Sequence, residues 1–78
     1  MWWWLEKLED TNETVVYAYG VATQNTTGKI LINKDNNEVT RIMMADNDNE
    51  PLYAIFYRFV RSIIAYAGCP KVRSIATG

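Results

Sequence analysis

One segment constrains this chain more than any other: residues 51–67, PLYAIFYRFVRSIIAYA, whose only charges are Arg58 and Arg61. Asp48 or Asn49 can cap a helix there, and Glu50 suits its positive end. Pro51 is tolerated in the first turn because its missing N–H would have no partner anyway. Gly68, with Pro70 just beyond it, is a stop signal. The expected helix therefore runs from Pro51 to Ala67. At about 100° per residue its apolar side chains, from Leu52 and Tyr53 to Tyr66 and Ala67, sweep an arc of about 200°. A helix lying on one side of a sheet needs a stripe of only about 100°. Something besides one sheet must cover the remainder.

The sheet is written in the residues before this helix. Trp2 to Glu9 reads as a first strand, with Trp2, Trp4, Glu6 and Leu8 on one face and Trp3, Leu5, Lys7 and Glu9 on the other. After the polar turn at residues 10–13, Thr14 to Thr23 is the strongest strand, β-branched and aromatic. Val15, Tyr17, Tyr19 and Val21 share one face, and the smaller Val16, Ala18, Gly20 and Ala22 share the other. Lys29 to Lys34 makes a short third strand. Asp35, Asn36 and Asn37 tolerate left-handed backbone and form a tight connection to a fourth, Glu38 to Met44. Short polar connections make consecutive antiparallel pairing the simplest topology.

The fold class expected is thus α+β: a four-stranded antiparallel β-meander over residues 1–44, then one C-terminal α-helix packed on the sheet. Residues 69–78 form a tail that either docks as an extended segment through Val72 and Ile75 or frays.

A chain of 78 residues holds one domain and buries a modest core. The single cysteine, Cys69, closes no bridge within the chain, and without histidine no zinc-type cluster exists, so no metal or cofactor is expected. Good packing or oligomerisation must then support the core. The favoured cover for the helix is a second copy in a homodimer, ahead of the chain's own tail and N-terminal tryptophans, with another protein partner or a lipid interface behind them. The interface residues expected for it are Trp3, Tyr53, Phe56, Tyr57, Val60 and Ile64. In that arrangement Trp2 and Trp4 are core and Trp3 lies across the contact. The N-terminus lacks the positive and long apolar regions of a secretory signal, and the apolar stretch is too short and too charged to span a bilayer. A cytoplasmic protein is expected. The sequons at Asn12 and Asn25 are read as chance triplets.

All nine acids lie in residues 1–50, with four of the eight bases; Arg58, Arg61, Lys71 and Arg73 follow with no acid among them. Such a split means internal complementarity or a basic surface for an anionic partner. The alternative function is therefore single-stranded nucleic-acid binding. Tyr17 and Tyr19 would stack bases if the small face of their strand lay against the helix, and Arg41, Arg58, Arg61, Lys71 and Arg73 would contact phosphates. Four strands followed by one helix is also the layout of a family of dimeric transcription coactivators that bind single-stranded DNA, although no motif is shared.

Catalysis is not expected. No histidine activates Cys69 or any hydroxyl, the acids lie mainly in turns, and the negative end of the helix disfavours a thiolate at Cys69. The run Asp46 to Glu50 has the look of a calcium loop, but Pro51 stands where glycine is needed and Tyr57 where the bidentate glutamate belongs.

Overall fold

The β-branched and aromatic run after the first turn becomes the central strand of the sheet, since such residues fit a pleated surface packed on at least one side. The computed structural model describes residues 2–76. In chain order they form β1 (Trp2–Asp10), β2 (Thr14–Val21), β3 (Gly28–Asn33), β4 (Glu38–Met43), α1 (Glu50–Ala67) and β5 (Val72–Ala76). The five strands make one antiparallel sheet in the order β4-β3-β2-β1-β5, and α1 packs on one face of it. The first four strands pair as the meander expected. The tail corrects the strand count: it docks as β5, with Trp3 opposite Ile75 and Leu5 opposite Arg73. Thr77 and Gly78, the end of that expected tail, lie outside the described residues.

Three long-range hydrogen bonds explain the docking. The Tyr17 hydroxyl donates to the Pro70 carbonyl at 2.5 Å, Lys7 Nζ to the Cys69 carbonyl at 3.0 Å, and the Lys7 N–H to the Lys71 carbonyl at 2.8 Å. They hold the residues between α1 and β5 against β1 and β2, so that β5 begins in register.

The face that β1 turns inward is the reverse of the one favoured from sequence, and β2 turns in its large face, not the small face that the nucleic-acid alternative required. Trp3, Leu5, Tyr17 and Tyr19 point towards α1 and are fully or almost fully buried, whereas Trp2 and Trp4 are half-buried on the opposite face. Phe56 decides this arrangement: its ring lies 4.8 Å from that of Tyr19 and 5.9 Å from that of Trp3, both stacked. Each such pair contributes about 0.5–1.5 kcal/mol beyond area burial. The small face of β2 is covered differently, for the chain after β2 folds back over Gly20. A Cβ there would sit 2.6 Å from the Thr23 carbonyl oxygen. The Trp3 indole N–H is buried with no acceptor among the described residues, and nothing in the structure explains it.

Leu8 is the extra residue of a bulge in β1, since Lys7 faces Tyr17 and Glu9 faces Val16. The bulge reverses the alternation beyond it. Asp10 accordingly comes round to the side of Lys7 and pairs with both Lys7 and Lys34. Ile42 is likewise extra in β4. The β3–β4 connection uses Asn37 at φ 57°, as its asparagines allow.

Candidate interaction surface

Helix α1 is fixed at both ends by its own sequence. Asn49 is the N-cap, its Oδ1 accepting the Leu52 N–H at 3.0 Å, and Pro51 sits in the first turn. Gly68, at φ 73°, ends the helix and returns its N–H to the Ile64 carbonyl at 3.2 Å. Rotation about the axis is set by three contacts. Phe56 lies over β2 and β1 through Tyr19 and Trp3, the Tyr53 ring carries the Arg41 guanidinium at 4.2 Å, and the Tyr57 hydroxyl donates to Glu38 Oε1 at 2.9 Å. Tyr53 and Tyr57 therefore face β4, one edge of the sheet. The opposite flank of the helix turns away from β4, to the side of the sheet on which β1 and then β5 lie.

That flank is apolar and open. Ile55 and Phe59 are each 40% exposed and Tyr66 is 90% exposed, while Leu52 and Ile63 beside them are half-buried. Once Phe56 is known to face the core, angular position singles out Ile55, Phe59 and Tyr66, which lie about 60–100° round the helix from it on the side away from the tyrosine pair. The wide arc read from sequence is thus real, but its excess lies on these residues.

The interface residues expected from sequence are placed as follows. Trp3, Phe56 and Val60 are wholly enclosed by the chain's own core, so they offer no surface to a partner. That expectation is corrected: the sheet needs these side chains to cover its inner face. Tyr53, Tyr57 and Ile64 are half-buried against the same core, the two tyrosines on the β4 side.

The nucleic-acid candidates divide. Tyr17 and Tyr19 are buried, which removes them as a stacking platform. Burial pushes both phenols well above the ordinary value of 10.0, and the hydrogen bond to Asp48 adds to the effect at Tyr19. Desolvation raises Tyr53 in the same way. The Tyr19 hydroxyl donates to Asp48 Oδ2 at 2.6 Å and accepts the Ala45 N–H at 3.2 Å. Arg41 completes the cluster. It is held by Asp48 at 3.1 Å and by Glu50, and its hydrogen bond to Glu50 raises its already high pKa further. Arg41 is therefore a strut that ties β4 to the start of α1.

Arg58, Arg61, Lys71 and Arg73 remain exposed, with Arg61 reaching over the Tyr57 ring at 5.7 Å. Among the described residues every ion pair is made by Lys7, Lys34 or Arg41, so none of these four meets a carboxylate. The charge split along the sequence is not consumed internally.

Two further observations bound the chemistry. No cluster of metal-ligating side chains and no pocket occurs among the described residues, and no described helix is long and apolar enough to cross a membrane. Large exposed apolar side chains gather in two places, the open flank of α1 and the run Ile42, Met43 and Met44 at the end of β4, with Leu8 and Val72 exposed besides. In comparisons with known proteins, no family model, curated protein or solved structure matches the chain significantly.

Proposed function

We propose that this chain is a non-enzymatic protein-interaction module whose working surface is the flank of α1 bearing Ile55, Phe59 and Tyr66. The observation that carries the reading is the exposure of these three large side chains on one side of a helix whose core-facing residues, Phe56 and Val60, are buried and whose other flank holds Tyr53 and Tyr57 against β4. Single exposed apolar residues are ordinary, but a contiguous row of them marks a contact surface. A homodimer is the form first expected of such a module. The cations bordering the flank disfavour it, because two copies meeting there would bring Arg58 and Arg73 together with no acid to offset them. The free Cys69 thiol is in keeping with a cytosolic setting.

Site-specific photo-cross-linking tests the reading. A photoreactive amino acid in place of Phe59, in the cells that make the protein, should give a discrete protein adduct that is absent when the same group replaces Asn36, an exposed turn residue. No adduct at Phe59, Ile55 or Tyr66 refutes it. Single-stranded nucleic-acid binding is the second reading, supported by the four cations that meet no carboxylate among the described residues and weakened by the burial of Tyr17 and Tyr19.

A further inference from the structure

On the side of the sheet to which the open flank of α1 turns, the last strand is an open edge. Among the described residues strand β5 pairs with β1 alone. The bond from the Lys7 N–H to the Lys71 carbonyl fixes which of its groups are engaged. Antiparallel pairing alternates, so Arg73 and Ile75 turn their backbone N–H and C=O groups to β1, and Val72, Ser74 and Ala76 turn theirs outward. An edge of this kind is a template for one more strand. The other edge differs: β4 is bulged at Ile42, and its helix flank is already occupied by Arg41 and Glu38.

Charge selects the occupant. Arg73 lies opposite Leu5, a residue of the core beneath the helix, so its side chain leaves the strand on the face of the sheet that carries α1. Arg58 follows Ile55 by one helical turn and borders the flank on its solvent side. Neither has a carboxylate partner among the described residues, and no acid occurs in the sequence after Glu50. The ledge is therefore apolar, rimmed by cations, and floored by free backbone donors and acceptors.

We infer that the ledge takes an extended acidic segment of a partner protein. The segment adds as a strand to β5, its alternate apolar side chains against Ile55, Phe59 and Tyr66 and its carboxylates towards Arg58 and Arg73. Main-chain bonds supply the common affinity of such strand addition, and the alternating side chains supply selectivity. The inference rests on the interaction role proposed for the α1 flank and names the partner's chemistry. A nucleic acid would use the cations but leave the apolar row uncovered. A second copy would cover the row and oppose like charges.

Selection from a displayed library of random ten-residue peptides on the folded protein tests it. Enriched sequences should alternate apolar residues with Asp or Glu, and a synthetic peptide of that sequence should bind more weakly as salt is raised. Arg73→Glu and Arg58→Glu should each weaken it by about fivefold or more. Ser74→Pro removes only an outward N–H, which edge strands tolerate, and should weaken binding while leaving the thermal unfolding of the protein close to that of the wild type. Neutral or basic winners, no enrichment at all, tighter binding of a single-stranded oligonucleotide, or a dimer that occupies the β5 edge would each overturn the inference. Cross-linking at Phe59 together with failure here would retain the interaction role and reject the acidic strand.

Discussion

The Tyr17 hydroxyl donates a hydrogen bond of 2.5 Å to the Pro70 carbonyl, joining residues 53 apart in sequence. Through it the central strand holds the turn that leads from the helix to the fifth strand. Tyr17→Phe keeps the ring in the core and removes the bond, leaving a carbonyl short of a donor. The expected loss is about 1 kcal/mol of stability, and amide exchange in β5 should accelerate more than in β3. Equal acceleration in both would mean that Tyr17 supports the whole sheet without a particular role for the tail.

Alkaline stability follows from the same residue and its neighbour. Burial raises the pKa of Tyr17 and Tyr19 in the folded chain above the ordinary 10.0. Between the unfolded and folded values the native state retains protons that the unfolded state releases, so stability falls as pH rises through and beyond about 10. Denaturant midpoints at pH 9 and at pH 11 should differ markedly in the wild type and less in the Tyr17→Phe/Tyr19→Phe double variant. A wild type whose midpoint does not change over that range would contradict the assignment.

Acid stability has the opposite sign and another residue. Hydrogen bonds from Lys34 first, and then from Lys7, lower the pKa of Asp10 below 3.8. Its contribution is present above the unfolded value and lost as pH falls through the folded one. The pair is exposed enough that solvent screens it. Asp10→Asn should therefore lower stability slightly at pH 7, with the difference from wild type vanishing towards pH 2; a difference that persists at pH 2 would point to packing instead.

The two flanks of α1 predict contrasting substitutions. Phe56 is fully buried between Trp3 and Tyr19, and Phe56→Ala should cost about 3–5 kcal/mol, enough to unfold much of so small a domain. Tyr66 is 90% exposed, and Tyr66→Ser should change stability by less than about 0.5 kcal/mol. Chemical denaturation of both variants checks the orientation of the helix.

Gly28 gives a steric test. A Cβ there would lie 2.4 Å from Tyr19 Cε1 and 2.7 Å from the backbone nitrogen of Ala45. Gly28→Ala must displace the tyrosine that holds the Ala45 and Asp48 segment. A loss of about 1–3 kcal/mol is expected, measured by urea unfolding; unchanged stability would show that this contact is loose.

Much of this architecture was readable before the structure. The helix bounds were, because Asn49, Pro51, Gly68 and Pro70 act locally and leave little choice of ends. The width of the apolar arc was readable too, being a property of spacing alone. Which sheet face turns inward was not. Both faces of β1 and β2 carry apolar residues, and the decision lies with partners far along the chain: Phe56 for Trp3 and Tyr19, Pro70 for Tyr17. The fifth strand was half-legible, since Val72 and Ile75 are few against Arg73 and Ser74, and its register depends on Tyr17 and Lys7. The open flank could have been located once Phe56 was known to be the buried meridian of the helix. Without that contact every residue on the arc was an equal candidate.

The pairing of β5 with β1, which sets the open edge on the side of the sheet to which the helix flank turns, is tested most directly by residue-resolved amide exchange of the free protein. Arg73 and Ile75, whose N–H groups face β1, should exchange slowly, and Val72, Ser74 and Ala76 fast, in strict alternation. Uniformly fast exchange would show that the tail does not join the sheet, and uniformly slow exchange would show that its outer edge is already covered.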